Sequence, residues 1–413
     1  MKMIVQRVEK HLIKQNNPYY RMFSDFAHKS KNLYNHANFL VRDEFIRNNK
    51  WLRYGEIDKL LKADLEFDDY KQMPTAQSAQ QILRLLEKDW KSFFTSIKDW
   101  SKNKDKYLGR PKLPKYKAKD GKHILILTNQ NVKLKDGVLV FPKTFCGFVM
   151  RPQFIKLDHF VSFQQVRFIP NYKSFIVELV YNIEVLDEAL PDNGRYLSVD
   201  IGLDNLATVV NNAGLKPVVI NGKGLKSINK YYNKQISYYR EVAKRMNDKD
   251  YTNRMDHLTT KRNHKIDDYM HKASKYLIDY ALTNHFNTIV IGNNKEWKQR
   301  SSMSKRVNQS FVGIPHSRFI EMVQYKAQNV GLNVILTEES YTSGTSFLDN
   351  EEPVKANYNK VRRIHRGLFV SNEGIKINAD VNGAYQIMKK VFPNAYANGI
   401  KGVALHPVRV SVA

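Results

Sequence analysis

The chain has 413 residues, with 67 Lys or Arg against 40 Asp or Glu, so its formal net charge is +27. This length allows about two to four domains, and a hydrophobic fraction of 42% excludes a largely disordered protein. The low mean hydropathy excludes the membrane-spanning class. The single cysteine, Cys146, excludes an internal disulfide and any cysteine-based zinc site, and it favours the reducing cytoplasm.

The positive charge is spread evenly along the chain. Residues 1–190 hold 34 basic and 21 acidic groups, a difference of +13, and residues 191–413 hold 33 and 19, a difference of +14. Such an excess favours phosphate-rich partners through counterion release. An anionic membrane would call for a long basic amphipathic helix with a Trp or Leu face, and the sequence contains no such segment. We therefore expect both halves to contact nucleic acid.

The N-terminal part predicts a strand followed by helices. Residues 2–14 have the pattern of a strand or strand pair, and from Met22 to Trp100 apolar residues recur at spacings of three and four. Met73-Pro74-Thr75 is typical of a helix start. We predict a helical bundle whose aromatic stripes form its core.

A basic segment follows at residues 102–119, with eight basic groups and one acidic group. Gly109, Pro111 and Pro114 exclude a regular helix, so the basic side chains are expected on an extended loop. Two interpretations remain open, a solvated linker and a strap that grips phosphates.

Residues 123–186 then alternate as strands and turns, with Asp136-Gly137 as a good hairpin turn. They predict a small β-barrel that also recruits the N-terminal strand. The second half opens with three strand-like runs, and a long polar helical region follows at about 224–286. Strands and helices then alternate, which predicts an α/β or mixed sheet.

Two aspartates are candidates for metal-dependent chemistry, because a basic protein that cuts nucleic acid needs carboxylates to hold divalent cations against the phosphates. Asp200 ends an apolar strand at the edge where a mixed sheet binds its ligands, and Gly202 follows it. Asp380 begins a predicted helix, where complementing the helix dipole is the simpler role. Either aspartate alone is weak evidence for catalysis.

Together the two aspartates match a known pattern. Ser198-Val199-Asp200-Ile201-Gly202-Leu203 resembles the first motif of a RuvC-type nuclease domain of RNase H-like fold, and Asn378-Ala379-Asp380-Val381-Asn382-Gly383-Ala384 resembles the third. The order of elements resembles the TnpB (OrfB) family of insertion sequences, the compact RNA-guided relatives of type V CRISPR effectors. The resemblance continues in Gly109–Tyr116, Phe93-Phe94, Leu33-Tyr34-Asn35 and Tyr341-Thr342-Ser343.

This resemblance implies an α+β multidomain chain. It would contain a wedge-like β-barrel at 1–20 and 103–190, an inserted helical recognition lobe at 21–102, and an RNase H-like (RuvC) α/β nuclease domain at 191–413. The resemblance also implies a guide RNA from the transposon end and a double-stranded target DNA that is cut beside a short adjacent motif. It implies a cytoplasmic location in a bacterial or archaeal cell, and it leaves open whether one or two chains assemble on the RNA.

The first departure from the family lies in its second motif, a strand that ends in Glu. The matching position here is Gly292, which offers no ligand. Either the protein has lost cleavage and kept RNA-guided binding, or a carboxylate has moved to a neighbouring strand. Glu338 and Glu339 end the run Val334–Thr337, and alternation points only one of them inward. Glu339 is preferred and Glu338 is kept as a candidate, and the joint presence of Asp200 and Asp380 favours the relocated ligand.

The second departure is the zinc ribbon that the family usually carries between its second and third motifs. The corresponding insert, at about 341–376, has no cysteine, so zinc is expected to be absent and a metal-free hairpin is one replacement. Its acids, such as Asp349 and Glu373, are expected to be exposed rather than ligating.

The resulting hypothesis is phosphodiester hydrolysis with two magnesium ions about 4 Å apart, held by Asp200, Asp380 and one of the two glutamates. Hard oxygen ligands suit magnesium, with manganese possible, rather than zinc. The alternatives are a cleavage-deficient RNA-guided repressor and a guide-free DNA-binding transposition accessory. Expected nucleic-acid contacts are Tyr34, Asn35, Arg110, Lys112, Lys115, Lys117 and Lys272, with core packing equally plausible for Tyr34.

Overall fold

The computed structural model describes residues 2–187, 189–248, 250–294, 309, 312–365, 367–396 and 405–412. The chain forms two compact units, one of Ile4–Glu184 and one of Met1–Met3 with Val185–Ala413. Each unit combines helices and sheets around a hydrophobic core of its own, so the chain is an α+β multidomain protein. None of its described helices is long and apolar enough to cross a membrane.

The unit of Ile4–Glu184 contains the predicted helices. They are α1 (Tyr20–Asn48), α2 (Tyr54–Ala63) and α3 (Ala76–Lys102). Thr75 caps α3, because its hydroxyl accepts from the Ser78 backbone at 3.0 Å while the Ser78 hydroxyl accepts from the Thr75 backbone at 3.2 Å. The aromatic stripes form the core as predicted, and the fully buried Trp90 donates its indole N–H to Asn38 at 3.0 Å.

Seven strands complete this unit in two sheets. A four-stranded sheet has the order β1-β7-β6-β2, and a three-stranded sheet has the order β3-β4-β5. Asp136 and Gly137 join β3 to β4 with φ of 47° and 74°, the positive values that a tight hairpin turn requires. The strands are β1 (Lys2–Lys14), β2 (Leu125–Thr128), β3 (Lys133–Lys135), β4 (Val138–Val140), β5 (Val149–Met150), β6 (Phe160–Asn171) and β7 (Ser174–Leu186).

The second unit is built on a six-stranded sheet with the order β12-β11-β8-β9-β10-β15. Antiparallel pairs join β8, β9 and β10, whereas β11 runs parallel to both β8 and β12. A small hairpin, β13–β14, lies outside this sheet. The strands are β8 (Tyr196–Ile201), β9 (Asn205–Asn211), β10 (Val218–Asn221), β11 (Thr288–Gly292), β12 (Asn333–Thr337), β13 (Leu368–Val370), β14 (Lys376–Asn378) and β15 (Val408–Val410).

Four described helices accompany this sheet. The polar region that the sequence marks as helical forms two helices, α4 (Lys223–Asn247) and α5 (Asn253–Thr283). They are followed by α6 (His316–Asn329) and α7 (Ala379–Val391), and α7 packs against β8. The carboxyl ends of the parallel strands β8, β11 and β12 meet at one edge of the sheet, where such sheets bind their ligands.

Candidate active site

Asp200 lies at this edge, one residue before the end of β8 and opposite Thr208 of β9. Its side chain lines an open cleft of about 830 Å³ together with Glu339 and Asp380. The cleft thus gathers three carboxylates that are far apart in the sequence.

The carboxylate of Asp380 is held in the first turn of α7. Asn378 caps this helix by accepting from the backbone N–H groups of Asp380 and Val381 at 3.0 and 3.1 Å. Arg363 donates to one oxygen of Asp380 at 3.0 Å, and Asn205 donates to the other at 2.7 Å. Both carboxylate oxygens therefore have a partner.

Gly292 leaves open the space that Glu339 occupies. A Cβ at position 292 would lie only 2.7 Å from the Glu339 Oε2 atom, 3.3 Å from its Cβ and 2.6 Å from Ile387 Cδ1. In the parallel register Gly292 faces Thr337, so Asn294 comes beside Glu339 two residues later. Asn294 donates to Glu339 Oε1 at 2.8 Å, while Oε2 is buried without a hydrogen-bond partner.

Glu338 is directed differently. Its side chain is exposed and accepts from the hydroxyl of Ser340. Lys390 of α7 donates to the carbonyl oxygens of Glu338 and Ser340 at 3.0 and 2.7 Å, which fastens the backbone on both sides of Glu339. The structure therefore brings Glu339, and not Glu338, into the cleft with Asp200.

A second glycine allows α7 to approach Asp200. A Cβ at Gly383 would lie 3.0 Å from Asp200 Oδ2, so a side chain there would press on the carboxylate. Gly383 belongs to the same sequence run as Asp380, and its lack of a side chain lets both carboxylates share the cleft.

The Asp200 carboxylate is repelled by the two other carboxylates of the cleft. Burial raises the pKa of Asp200 well above its usual value, with further contributions from Glu339 and Asp380, while Arg363 acts in the opposite direction. Burial also raises the pKa of Glu339 to about 7, although Lys390 opposes the shift. A divalent cation would relieve this accumulation of negative charge.

The donor set fits a hard divalent cation, since it consists of carboxylates and includes the unpartnered buried oxygen of Glu339. Within the described residues, however, no group of three His, Cys, Asp or Glu side chains has the geometry of a formed metal site. Here Asp380 is instead bound by Arg363 and Asn205.

The insert is organised by an arginine. Arg362 forms ion pairs with Glu351 at 2.7 Å and Asp349 at 3.8 Å, and all three side chains are largely buried. Asp349 also accepts from the backbone of Asn372 at 2.8 Å, so the expectation that it is exposed is wrong, whereas Glu373 is exposed. The antiparallel hairpin β13–β14 completes the segment.

Tyr34 and Asn35 are both engaged within the N-terminal unit. Tyr34 is only 1% exposed and its hydroxyl donates to Asp89 at 2.7 Å. Asn35 uses both ends of its amide on the backbone of Lys117, at 3.0 and 2.8 Å. The burial and the bond of Tyr34 favour the core-packing role that the sequence left open for it, and a nucleic-acid contact of the pair stays a prediction.

The basic loop is docked against α1 rather than loosely solvated. Besides the two bonds to Asn35, the Asn38 amide donates to the Pro114 carbonyl at 3.0 Å. Lys112 and Lys115 are exposed, whereas Lys117 lies over the Tyr34 ring at 4.2 Å. The loop thus presents some of its charges from a fixed backbone.

Two other predicted contacts lie on the surface. Arg110 is exposed with its guanidinium 6.0 Å from the Trp100 ring, and Lys272 pairs with Asp268 one helical turn away at 2.9 Å. Neither arrangement prevents a phosphate contact.

Sequence reasoning missed the polar side chains that hold the carboxylates. Asn205, Asn294, Arg363 and Lys390 belong to no quoted motif, and each acts from a different segment. The one available signal was position, since Asn205 lies two residues after the first motif and Asn294 lies two residues after Gly292.

Comparison with known proteins adds independent information. The OrfB_IS605 family, described as a probable transposase, matches residues 178–298, and the Cas12f1-like TNB domain matches residues 316–387. The TnpB-like protein ORF457 of Acidianus two-tailed virus is 22% identical over 404 residues, covering 90% of this chain and 83% of its own length.

Two solved structures are also similar, each at 13% identity and a TM-score of 0.37. One is titled as a cryo-EM structure of the Cas12f1-sgRNA-target DNA complex, and the alignment covers 92% of this chain and 98% of that one. The other is titled as a cryo-EM structure of a CRISPR-Cas12f ternary complex, with 89% and 80% covered. The sequence matches carry the resemblance, since one contains Asp200 and the other contains Glu339 and Asp380, and together they show that the chain is similar to TnpB-like and Cas12f1-like proteins.

Proposed function

We propose that this protein is an RNA-guided DNA endonuclease of an insertion sequence, which cuts its target beside a short adjacent motif. One observation carries the proposal: the Glu339 carboxylate fills the space beside Gly292 and lies in one cleft with Asp200 and Asp380. A relocated glutamate preserves a set of three carboxylates, and a protein without cleavage has no chemical need for such a set.

The topology supports an RNase H-like assignment for the C-terminal unit. Three antiparallel strands are extended by two parallel ones, with the carboxylates at the edge where the parallel strands end. We assign residues 191–413 to a RuvC-like nuclease domain, residues 1–20 and 103–190 to a wedge and residues 21–102 to a recognition lobe.

Asp200, Glu339 and Asp380 would hold magnesium, or manganese in its place, because hard carboxylate oxygens prefer these ions. Bound there, the metal would activate the attacking water and stabilise the leaving oxygen of the phosphodiester.

The chain's own residues prepare this site. Asn294 orients Glu339, and Arg363 with Asn205 holds Asp380 until a cation competes for it. Lys223 lines the same cleft and supplies positive charge for a phosphate backbone.

The partners follow from charge and family. A net charge of +27 suits a protein that encloses a guide RNA paired with one strand of a target DNA. Base pairing would read the sequence, while the protein would read duplex shape and the adjacent motif.

A pocket in the N-terminal unit is suited to reading that motif, in addition to Tyr34 and Asn35. The pocket has a volume of about 480 Å³. Its walls are rich in side-chain amides, among them Gln80 and Gln81 of α3 and Gln164 and Gln165 of β6. Amides can bond adenine in two places along its major-groove edge. Selecting cleavable targets from a randomised flank should show a relaxed preference for Gln81→Ala, and an unchanged preference would remove the pocket from the proposal.

The central experiment is cleavage of target DNA by the purified protein with its RNA. Wild type should cut in magnesium and Asp200→Ala should not, and equal cutting by both would refute the proposal. Binding to a matched target without cutting would instead identify an RNA-guided repressor. If no RNA co-purifies with the protein, the guide-free accessory role is favoured.

A further inference from the structure

Helix α4 carries an unusual amount of positive charge on its solvent side. It contains seven basic residues and one acidic residue, and its first residue, Lys223, lines the cleft that holds Asp200. Charge of this density beside a candidate phosphodiesterase site favours a phosphate-bearing ligand. Because α4 begins at the cleft, its exposed side chains form a basic surface that extends from the cleft.

Five of the exposed residues of α4 lie in two parallel rows, and further along the lysine row Glu241 is paired with Arg245. At 100° per residue, Lys223, Lys230 and Lys234 fall within about 40° of one another, and Tyr231 with Tyr238 lies directly beside them. The opposite face is the packed one, with Leu225, Ile236 and Ala243 buried. The lysines and tyrosines thus share one solvent-facing stripe, which starts at the cleft.

The two tyrosines are unusually open for aromatic side chains. Tyr231 is 62% exposed and Tyr238 is 58% exposed, and their spacing of seven residues separates them by about 10 Å along the helix. Among the described residues, neither Lys230 nor Lys234 forms an ion pair. Open rings beside uncompensated lysines match what single-stranded nucleic acid requires, namely aromatic faces for its bases and cations for its phosphates.

We propose that this stripe of α4 (Lys223, Lys230, Tyr231, Lys234 and Tyr238) binds a single DNA strand and guides it into the cleft. The inference rests on the proposed function, because it takes the cleft to be the place where that strand is cut. A duplex is a poor ligand for the stripe, since its base faces are covered by their neighbours and cannot stack on the tyrosines. The continuity of the stripe with the cleft through Lys223 favours the DNA strand over the guide RNA.

The test measures binding rather than cleavage, using the full chain with its co-purified RNA and a chelator to prevent cutting. The probe is fluorescein-labelled oligothymidine, followed by anisotropy. Each base–aromatic stack contributes roughly 5- to 150-fold in affinity, so the double variant Tyr231→Ala/Tyr238→Ala should weaken binding by about 25-fold or more. The Phe double variant keeps both rings and should stay within about twofold of wild type.

Two controls separate stacking from general effects. Tyr251→Ala removes another exposed tyrosine, outside α4, and should leave binding unchanged. Replacing Lys230 and Lys234 by Ala should lower the salt slope by about 1.4, since each phosphate neutralised on a single strand accounts for about 0.7.

The proposal is overturned if the Ala double variant binds oligothymidine like wild type, or if it weakens labelled duplex to the same extent. It is also overturned if that variant loses its co-purified RNA while keeping the DNA strand, or if only its oligomeric state changes. Because the readout requires no cleavage, a wild type that binds but never cuts would refute the proposed function and leave the binding stripe intact.

Discussion

Moving the glutamate back to β11 is the sharpest test of the site. Glu339→Ala removes the carboxylate that lies where a side chain at position 292 would begin. A metal ligand that supplies several kcal/mol of transition-state stabilisation is worth at least about 100-fold in rate. We expect this loss in single-turnover cleavage of a labelled target, while the neighbouring variant Glu338→Ala, which changes an exposed carboxylate, stays within about twofold.

The second step adds Gly292→Glu to the Glu339→Ala variant. The new Cβ at position 292 would have met Glu339 Oε2 at 2.7 Å, and Glu339→Ala removes that contact. Two contacts of the new Cβ remain, with the Cβ of residue 339 at 3.3 Å and with Ile387 Cδ1 at 2.6 Å. The Ile387 contact is with the far end of a side chain, which can change rotamer for about 0.5–1.5 kcal/mol. Rescue should therefore be partial, about tenfold above Glu339→Ala alone.

The matched control is Gly292→Gln in the same background. It has the same size and the same contacts, but its neutral amide is a much weaker ligand for a hard cation. If Gln rescues cleavage as well as Glu, or if Glu339→Ala already cuts like wild type, the relocated-carboxylate reasoning is refuted.

Three further predictions concern other parts of the chain. Replacing the exposed Lys112 and Lys115 by Ala should weaken nucleic-acid binding and lower its salt slope by roughly 1.4–1.8, and an unchanged slope would mean that the docked loop makes no phosphate contact. Arg362→Ala leaves two largely buried acids without their cation, so the free energy of unfolding should fall by about 3 kcal/mol in thermal unfolding. A zinc chelator should leave the stability of the wild type unchanged. Burial lowers the pKa of His123 to about 4, so the unfolded state takes up the proton first and stability should fall as pH drops from about 6.5 to 4. His123→Gln should flatten the pH dependence of the unfolding free energy in that window, and parallel curves for both proteins would contradict this.

Much of the fold could be predicted from local patterns. The helices between residues 22 and 100, the Asp136-Gly137 turn and the helical character of 224–286 all follow from periodicity and turn chemistry, and the structure confirms them, although it divides the last region into two helices. Such features depend on neighbours in the sequence, so the sequence alone is enough to find them.

Burial and side-chain partners are long-range properties, so local patterns do not determine them. Tyr34 lies on a helix whose pattern is equally consistent with a core and with an exposed platform, and only its contact with Asp89 distinguishes the two. Asp349 was expected to be exposed because it lies in a polar insert. Its ion pair with Arg362 joins residues that are distant in the sequence, so no local pattern predicts it.

For the site, the sequence by itself determined the two aspartates, the missing ligand at Gly292 and a pair of replacement candidates. Only the tertiary structure decided between Glu338 and Glu339, because the choice depends on the parallel register that sets Gly292 beside Thr337. A slip of one residue would turn every side chain of β12 to the opposite face, and no local pattern fixes that register. Glu339 can occupy the space beside Gly292 only because β11 and β12 are paired in this register.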